Sequence, residues 1–386
     1  MVNLYLRGAI GEVLAYLFLP LIVLGLKEIF YGNQKHYYYL VFGMTGLIYS
    51  HVISTLLGGI FILLYFLLHI KTIFREKRFL SLLKAVLLTT ILSLSFLVPL
   101  VEQLLDRNFY IYNLGDIIYD NIAVPLYRLF LAFPLPSSVW YPLGIGLIFF
   151  IIIIWGFKYF KKLNYQARIY LFLGIFFLWL SSSLVPRIFY DKFFYLIQYN
   201  WRFYLLASIS LFFLILEMYH YLNKKEVAFF KKYNLLFIII ILTSMLSNSL
   251  IYQHTKDLAG EYLGYYEYLP EGISYDNLDN IKASCNQDSA YEISFLGGQT
   301  TISYDNSYND TLLTLPLLYY KGYQTTSDYE ILNNNGLVAL KLKEKKDKLV
   351  LYYDITDVTL YSRIISLTAF MVIIIYLVRK KNSMTN

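Results

Sequence analysis

Residues 79–101 read FLSLLKAVLLTTILSLSFLVPLV, an apolar run long enough, as a helix, to cross the roughly 30 Å hydrocarbon core of a bilayer. A basic loop containing Lys71, Arg75, Lys77 and Arg78 precedes it, and a segment carrying Asp106, Asp116 and Asp120 follows it. Outward from there, further apolar stretches occupy about 8–30, 38–70, 140–157, 168–186, 201–222, 233–251 and 361–378. The stretch 38–70 exceeds one upright helix, and tilt would absorb only part of the excess. Two short helices, 38–50 and 53–70, turning near His51 and Ser54, account for it better. The sequence therefore predicts an α-helical polytopic membrane protein of about eight to nine spans.

Composition agrees. Of 386 residues, 58% are hydrophobic and only 15% charged, against about 25% charged in an average soluble domain, which excludes a single water-soluble globule. Aromatics at 19% exclude a disordered chain. The net charge of +7 is divided unevenly: residues 251–360 hold 16 acids and 8 bases, and the rest holds 10 acids and 25 bases. Basic loops beside an acidic soluble segment fit membrane sidedness and do not suggest nucleic acid as a partner. The single cysteine, Cys285, rules out an intrachain disulfide framework. The start of the chain lacks the basic region and cleavage site of a signal peptide.

Four basic clusters set the expected orientation. They are Lys71–Arg78, Lys158–Arg168, Lys224–Lys232 and the tail Arg379, Lys380 and Lys381. An even number of expected spans separates each from the next, so all four fall on one side, the cytoplasm. Segments 102–139, 187–200 and 251–360 then face outward. Within the first, the apolar stretch Val124–Phe133 is too short to span and reads as an interfacial or re-entrant helix. This divides the chain into a membrane domain (1–250), an extracytoplasmic β-rich domain (251–360), and a closing helix with a cytoplasmic tail (361–386). The β-rich reading rests on alternation over Tyr291–Leu296 and Thr300–Tyr304 around Gly297 and Gly298. It continues through Leu312–Tyr320, Leu337–Leu342 and Leu349–Tyr353, with a turn at Asn333–Gly336, and predicts a small sandwich before the last helix.

The chain has no phosphate-binding glycine loop, zinc motif or nucleophile elbow, and its five histidines are scattered without ligand spacing. No cofactor or protein-built metal site is expected. Polar residues at the outer ends of apolar helices remain as candidates. Arg7 and Glu12 lie five apart, on the same expected side as His51. Charges there are costly unless paired, snorkelling or functional, and an interfacial anchor explains them about as well as a site. Gln198, Trp201 and Arg202 open a later helix, preceded by Arg187, Asp191 and Lys192. A guanidinium and free helix amides could grip a lipid phosphate, although an aromatic-belt Trp with a snorkelling Arg is the commoner arrangement. Glu217, deep in that helix, is expected near the inner face. In the ectodomain, Tyr319, Tyr320 and Tyr323 offer apolar faces with polar tips that could hold sugar rings, or could simply pack a strand.

Together the runs Arg7–Glu12 continuing to Pro20 and Leu21, Ile197–Phe203, and Pro316–Tyr323 resemble the 6-pyruvoyl-tetrahydropterin synthase-related bacterial membrane proteins, which are similar to type C glycosyltransferases. Nothing here points to pterin chemistry. The resemblance implies polyprenyl-phosphate sugar donors, a glycan acceptor, and a role in surface polysaccharide or glycolipid assembly. This chain departs from the family pattern at Tyr199 and Asn200, where Phe and Pro are commoner, and at Tyr323, where a Trp is common. Relatives of this type carry further spans before the Arg7 motif, with an acidic catalytic loop. The resemblance therefore implies a C-terminal portion dependent on an N-terminal partner chain, with any divalent cation arriving only with that loop. A membrane-anchored glycan- or partner-binding protein is the non-enzymatic alternative. A lipid or solute transporter is disfavoured by the scarcity of ionisable residues in mid-span.

Overall fold

The structure is a computed structural model that describes residues 9–106, 109, 126, 129–130, 144–189, 195–197, 199–221, 269–270, 273 and 281–385. The expected span at 233–251 and most of the segment 102–139 lie outside the described residues. The chain divides into two units. One holds Met1–Thr90 and Leu114–Leu263, the other Ile91–Asn113 and Gly264–Asn386.

The first unit is helical. Its described helices are α1 (Ile10–Phe30), α2 (Tyr38–Ser50), α3 (Val52–Leu68), α4 (Ile70–Arg75), the first turns of α5 (Phe79–Asp106), α6 (Leu147–Lys158), α7 (Tyr165–Leu180) and α8 (Tyr204–Tyr221). The break between α2 and α3 falls at His51, as the length of the apolar run predicts. His51 is extended (φ −162°, ψ 122°), and its ring Nδ1 accepts the Ser54 N–H, capping α3.

Helices α1 and α2 run antiparallel and touch through glycines. A Cβ on Gly11 would meet the Ser50 carbonyl at 2.5 Å, one on Gly43 the Ile22 nitrogen at 2.9 Å, and one on Gly25 would land on the Leu40 backbone. Small residues let apolar helices approach closely where lipid supplies no hydrophobic drive. Inside the unit, Phe177 packs against Phe61 and Phe203, with ring centroids 6.2 and 6.3 Å away, all three fully buried.

The second unit combines a β-domain with two helices. Strands β1 (Ser284–Cys285), β4 (Thr311–Leu318), β7 (Leu337–Leu342) and β6 (Ile331–Asn334) form one antiparallel sheet in that order. The other is β2 (Ala290–Leu296), β3 (Gln299–Asp305), β8 (Lys346–Tyr353) and β5 (Tyr323–Thr325). Ile302, Tyr304, Leu349 and Leu351 from one sheet share a core with Leu313, Leu315, Val338 and Leu340 from the other, giving the sandwich-like arrangement the alternation predicts. The predicted hairpin at Gly297 and Gly298 (φ 59° and 81°) and the predicted turn ending at Asn335 and Gly336 (50° and 85°) both have the left-handed residues a two-residue hairpin loop requires.

Helix α9 (Asp357–Thr385) leaves β8 and packs on the second half of α5. The Ser366 hydroxyl donates to the Ile91 carbonyl and accepts the Ser95 N–H, both at 2.9 Å, so it ties α9 to one turn of the α5 backbone. Glu102 accepts hydrogen bonds from the Thr356 and Thr359 hydroxyls at 2.7 and 3.2 Å, while Thr356 caps α9 through the Thr359 N–H.

Among the described residues, four helices are long and apolar enough to cross a membrane: Ile10–Phe30, Phe79–Asp106, Asn200–Tyr219 and Asp357–Tyr376. Val52–Leu68, Leu147–Lys158 and Tyr165–Leu180 are apolar but shorter. The structure thus carries the helical and β-rich parts without establishing the expected eight to nine crossings.

Candidate polar site in the helical unit

Three of the residues singled out by sequence meet here. Glu12 sits in the first turn of α1, where a carboxylate favours the positive end of the helix dipole. Arg202 sits in the 3₁₀ turn Asn200–Phe203 that opens α8, and His51 sits at the α2–α3 break. Arg202 Nε donates to Glu12 Oε1 at 2.9 Å, and both side chains are buried. Nη1 of Arg202 donates to the Ile197 carbonyl at 2.7 Å, and the guanidinium lies 4.9 Å from the Tyr199 ring centre and 6.0 Å from that of Trp201.

His51 approaches the same carboxylate. Its Nδ1 accepts the Ser54 N–H at 3.1 Å, so the neutral ring carries its proton on Nε2. Nε2 faces Glu12 Oε1 at 3.7 Å, within ion-pair range but beyond a hydrogen bond. Gly11 lets α1 approach the end of α2, which brings Glu12 beside His51. The backbone bond from the Arg202 N–H to the Tyr199 carbonyl shapes the turn that aims Arg202 inward.

Two further groups adjoin Arg202. Asn200 is fully buried, and among the described residues neither its amide nitrogen nor its amide oxygen finds a hydrogen-bond partner, nor does the Tyr204 hydroxyl. A buried polar group left unsatisfied costs about 1–3 kcal/mol, so their placement beside a charge pair marks a polar locus rather than ordinary core. The sequence signal for Asn200 was its place in the polar and aromatic run Gln198–Phe203, just before Trp201 and Arg202.

Glu217 has a definite partner near the other end of α8. Lys27 of α1 contacts its Oε1 at 2.5 Å, and Asn164 donates to its Oε2 at 3.1 Å while capping α7 through the Ala167 N–H. Sequence reasoning expected Glu217, deep in the helix, near the inner face but missed Lys27 and Asn164, which carry no local sign of partnership.

The other candidates lie elsewhere. Arg7 and Gln198 fall outside the described residues, and Arg187 opens the helical turn Arg187–Phe189. Tyr319, Tyr320 and Tyr323 belong to the β-domain unit, where Tyr319 and Tyr323 pack partly into the sandwich core. Tyr323 meets Tyr353 edge-on at 5.4 Å, and burial raises its phenol above the ordinary value, with Tyr320 and Tyr353 adding to the shift. Between these tyrosines, Lys321 is docked on α5: its N–H donates to Gln103 Oε1 at 3.1 Å, and its carbonyl accepts from Gln103 Nε2 at 2.9 Å. Among the described residues, no group of three or more His, Cys, Asp or Glu stands close enough to hold a metal ion.

No family model matches the chain, and no curated protein or solved structure matches it. The site therefore has to be interpreted from its own chemistry.

Proposed function

We propose that this chain is an integral membrane protein of cell-envelope glycan or glycolipid assembly, resembling glycosyltransferases that use polyprenyl-phosphate-linked sugars. The observation that supports it is the convergence of Glu12, His51 and Arg202 from three separate segments into one buried polar locus beside Asn200 and Tyr204. Ionisable groups in apolar helices are retained chiefly where they serve a function or are paired. In this reading Arg202, with Arg7, Arg187, Gln198 and Trp201, holds the lipid phosphate. Glu12 and His51 orient the guanidinium, and Tyr319, Tyr320 and Tyr323 contact the acceptor glycan. The β-domain is extracytoplasmic and the C-terminus cytoplasmic.

The test is lipid binding by the full chain in nanodiscs, comparing a polyprenyl phosphate with the unphosphorylated polyprenol. The expected result is preference for the phosphate, abolished in Arg202→Ala and partly retained in Arg202→Lys. Equal binding of the two lipids would overturn the reading.

One observation favours a second reading, a non-enzymatic membrane-anchored protein that binds glycan or a partner. Arg202 already donates to Glu12 and to the Ile197 carbonyl, which ties the guanidinium into the fold. Arg202→Ala would then lower stability alone, leaving both lipid binding and surface glycan unchanged. Glycan capture by the full chain would instead weaken in a Tyr319→Ala, Tyr320→Ala, Tyr323→Ala variant.

A further inference from the structure

The β2–β3 hairpin ends in an apolar tip. Phe295 is 54% exposed and Leu296 85%, and they lead straight into Gly297 and Gly298. Exposing two large apolar side chains at a turn is unfavourable in water, because apolar surface gains free energy by leaving it. The strand register shows which end of the domain they occupy. Gln299 pairs with Tyr352, and Tyr352 pairs with Gln324, so the tip is level with the last residues of β8.

That is the end from which the two apolar helices of this unit depart. β8 stops at Tyr353 and α9 starts at Asp357. The Asp354 N–H donates to the Gly322 carbonyl at 2.9 Å, and the Tyr353 hydroxyl donates to the Lys321 carbonyl at 3.3 Å. Lys321 is in turn held by Gln103, where the apolar run of α5 ends. At about 3.3 Å per strand residue and about 4.8 Å between strands, the tip lies within roughly 7 Å of the level of Gln103 and about 5–10 Å to the side of β8. The headgroup layer on each face of a bilayer is about 5–8 Å deep. Tyr353 (51% exposed) and Tyr361 (64%) stand at the neighbouring helix entry, the usual level of aromatic anchors.

We propose that the hairpin tip Phe295–Gly298 inserts into the lipid headgroup layer of the membrane that α5 and α9 cross, giving the β-domain a third contact with the bilayer. The partner is a lipid surface. Two apolar side chains on a tight turn are far too small a patch for a specific protein interface of about 1,000 Å² or more, but they suit a shallow wedge among headgroups. The proposal rests on the reading of α5 and α9 as membrane-crossing helices.

The experiment places a nitroxide at Leu296→Cys in a Cys285→Ser full-length chain reconstituted in liposomes, and compares collisions with oxygen and with a water-soluble nickel chelate. Asp288→Cys, near the opposite end of β2, is the aqueous reference, and Met371→Cys in α9 is the deep one. The expected oxygen-to-nickel ratio at Leu296 is several-fold above that at Asp288 and below that at Met371. A ratio equal to that at Asp288, with Met371 deep, overturns the proposal and leaves the helix reading standing. Aqueous behaviour at Met371 as well overturns both. Leu296→Trp in the otherwise native chain gives an independent reading. Its added fluorescence should be quenched by a headgroup-level lipid label, and strong quenching by aqueous iodide would count against insertion.

Discussion

Glu12 and Arg202 are 190 residues apart in sequence and share a hydrogen bond at 2.9 Å with both side chains buried. Removing one member of a buried pair strands the other charge and typically costs about 3–5 kcal/mol, whereas replacing both can be nearly neutral. Glu12→Gln and Arg202→Met should therefore each lower the thermal midpoint of the detergent-solubilised chain sharply. The double variant should recover much of the loss. Independent, additive losses would show that the pair is not coupled. A second residue-scale prediction concerns Asp347 in the β-domain. Lys345, the Tyr329 hydroxyl and the Lys348 N–H all bond its carboxylate and hold its pKa well below the usual carboxylate range. A folded-state pKa depressed below the unfolded one contributes stability that is fully present above the unfolded value, about 3.9, and is lost as pH falls below it toward the folded value. An acid titration of unfolding should show this loss between about pH 4 and pH 2, and Asp347→Asn should flatten that part of the curve. An unchanged profile in the variant would discount the network.

At the scale of elements, glycine contacts decide how α1 meets α2. Gly25→Ala puts a methyl onto the Leu40 backbone, which cannot move aside as a side-chain tip could, and should force the helices apart. Gly59, in α3, has no neighbour among the described residues within 4 Å of where its Cβ would stand. Gly59→Ala should be neutral or stabilising by up to about 1 kcal/mol through helix propensity. Comparing the two thermal midpoints checks this, and equal effects would refute a glycine-mediated interface. Much of the element map was legible from sequence. Strands β3 and β8 follow an alternation that a half-buried pleat imposes locally, β2 alternates in sequence although it is largely exposed, and the break at His51 follows from a run too long for one helix. Strands β1, β5 and β6, with two, three and four residues, are too short to show a period and owe their pairing to neighbours. The Gly11, Gly25 and Gly43 contacts escaped notice because a glycine inside an apolar run looks the same whether it faces lipid or another helix.

Across the whole helical unit, two ion pairs set the register of α1 against α8. Glu12 pairs with Arg202 and Lys27 with Glu217, so fifteen residues, or about 22 Å of helix, separate the pairs on both sides. The carboxylate is on α1 in one pair and on α8 in the other, which specifies parallel helices and penalises the reversed arrangement. In a Cys285→Ser chain, Lys27→Cys with Glu217→Cys should be joined by a short bifunctional thiol reagent, and Lys27→Cys with Arg202→Cys should not. The opposite pattern would mean an antiparallel register. What the sequence alone determined is what local rules govern: apolar lengths sufficient for membrane helices, strand alternation, glycine turns, and a chain whose acids and bases are segregated. Only the tertiary structure decided that Glu12, His51 and Arg202 converge, that Lys27 answers Glu217, and that one continuous helix, α5, contributes residues to both units. Those facts depend on which helices become neighbours and in which direction they run, and no single segment carries that information until the segments pack together.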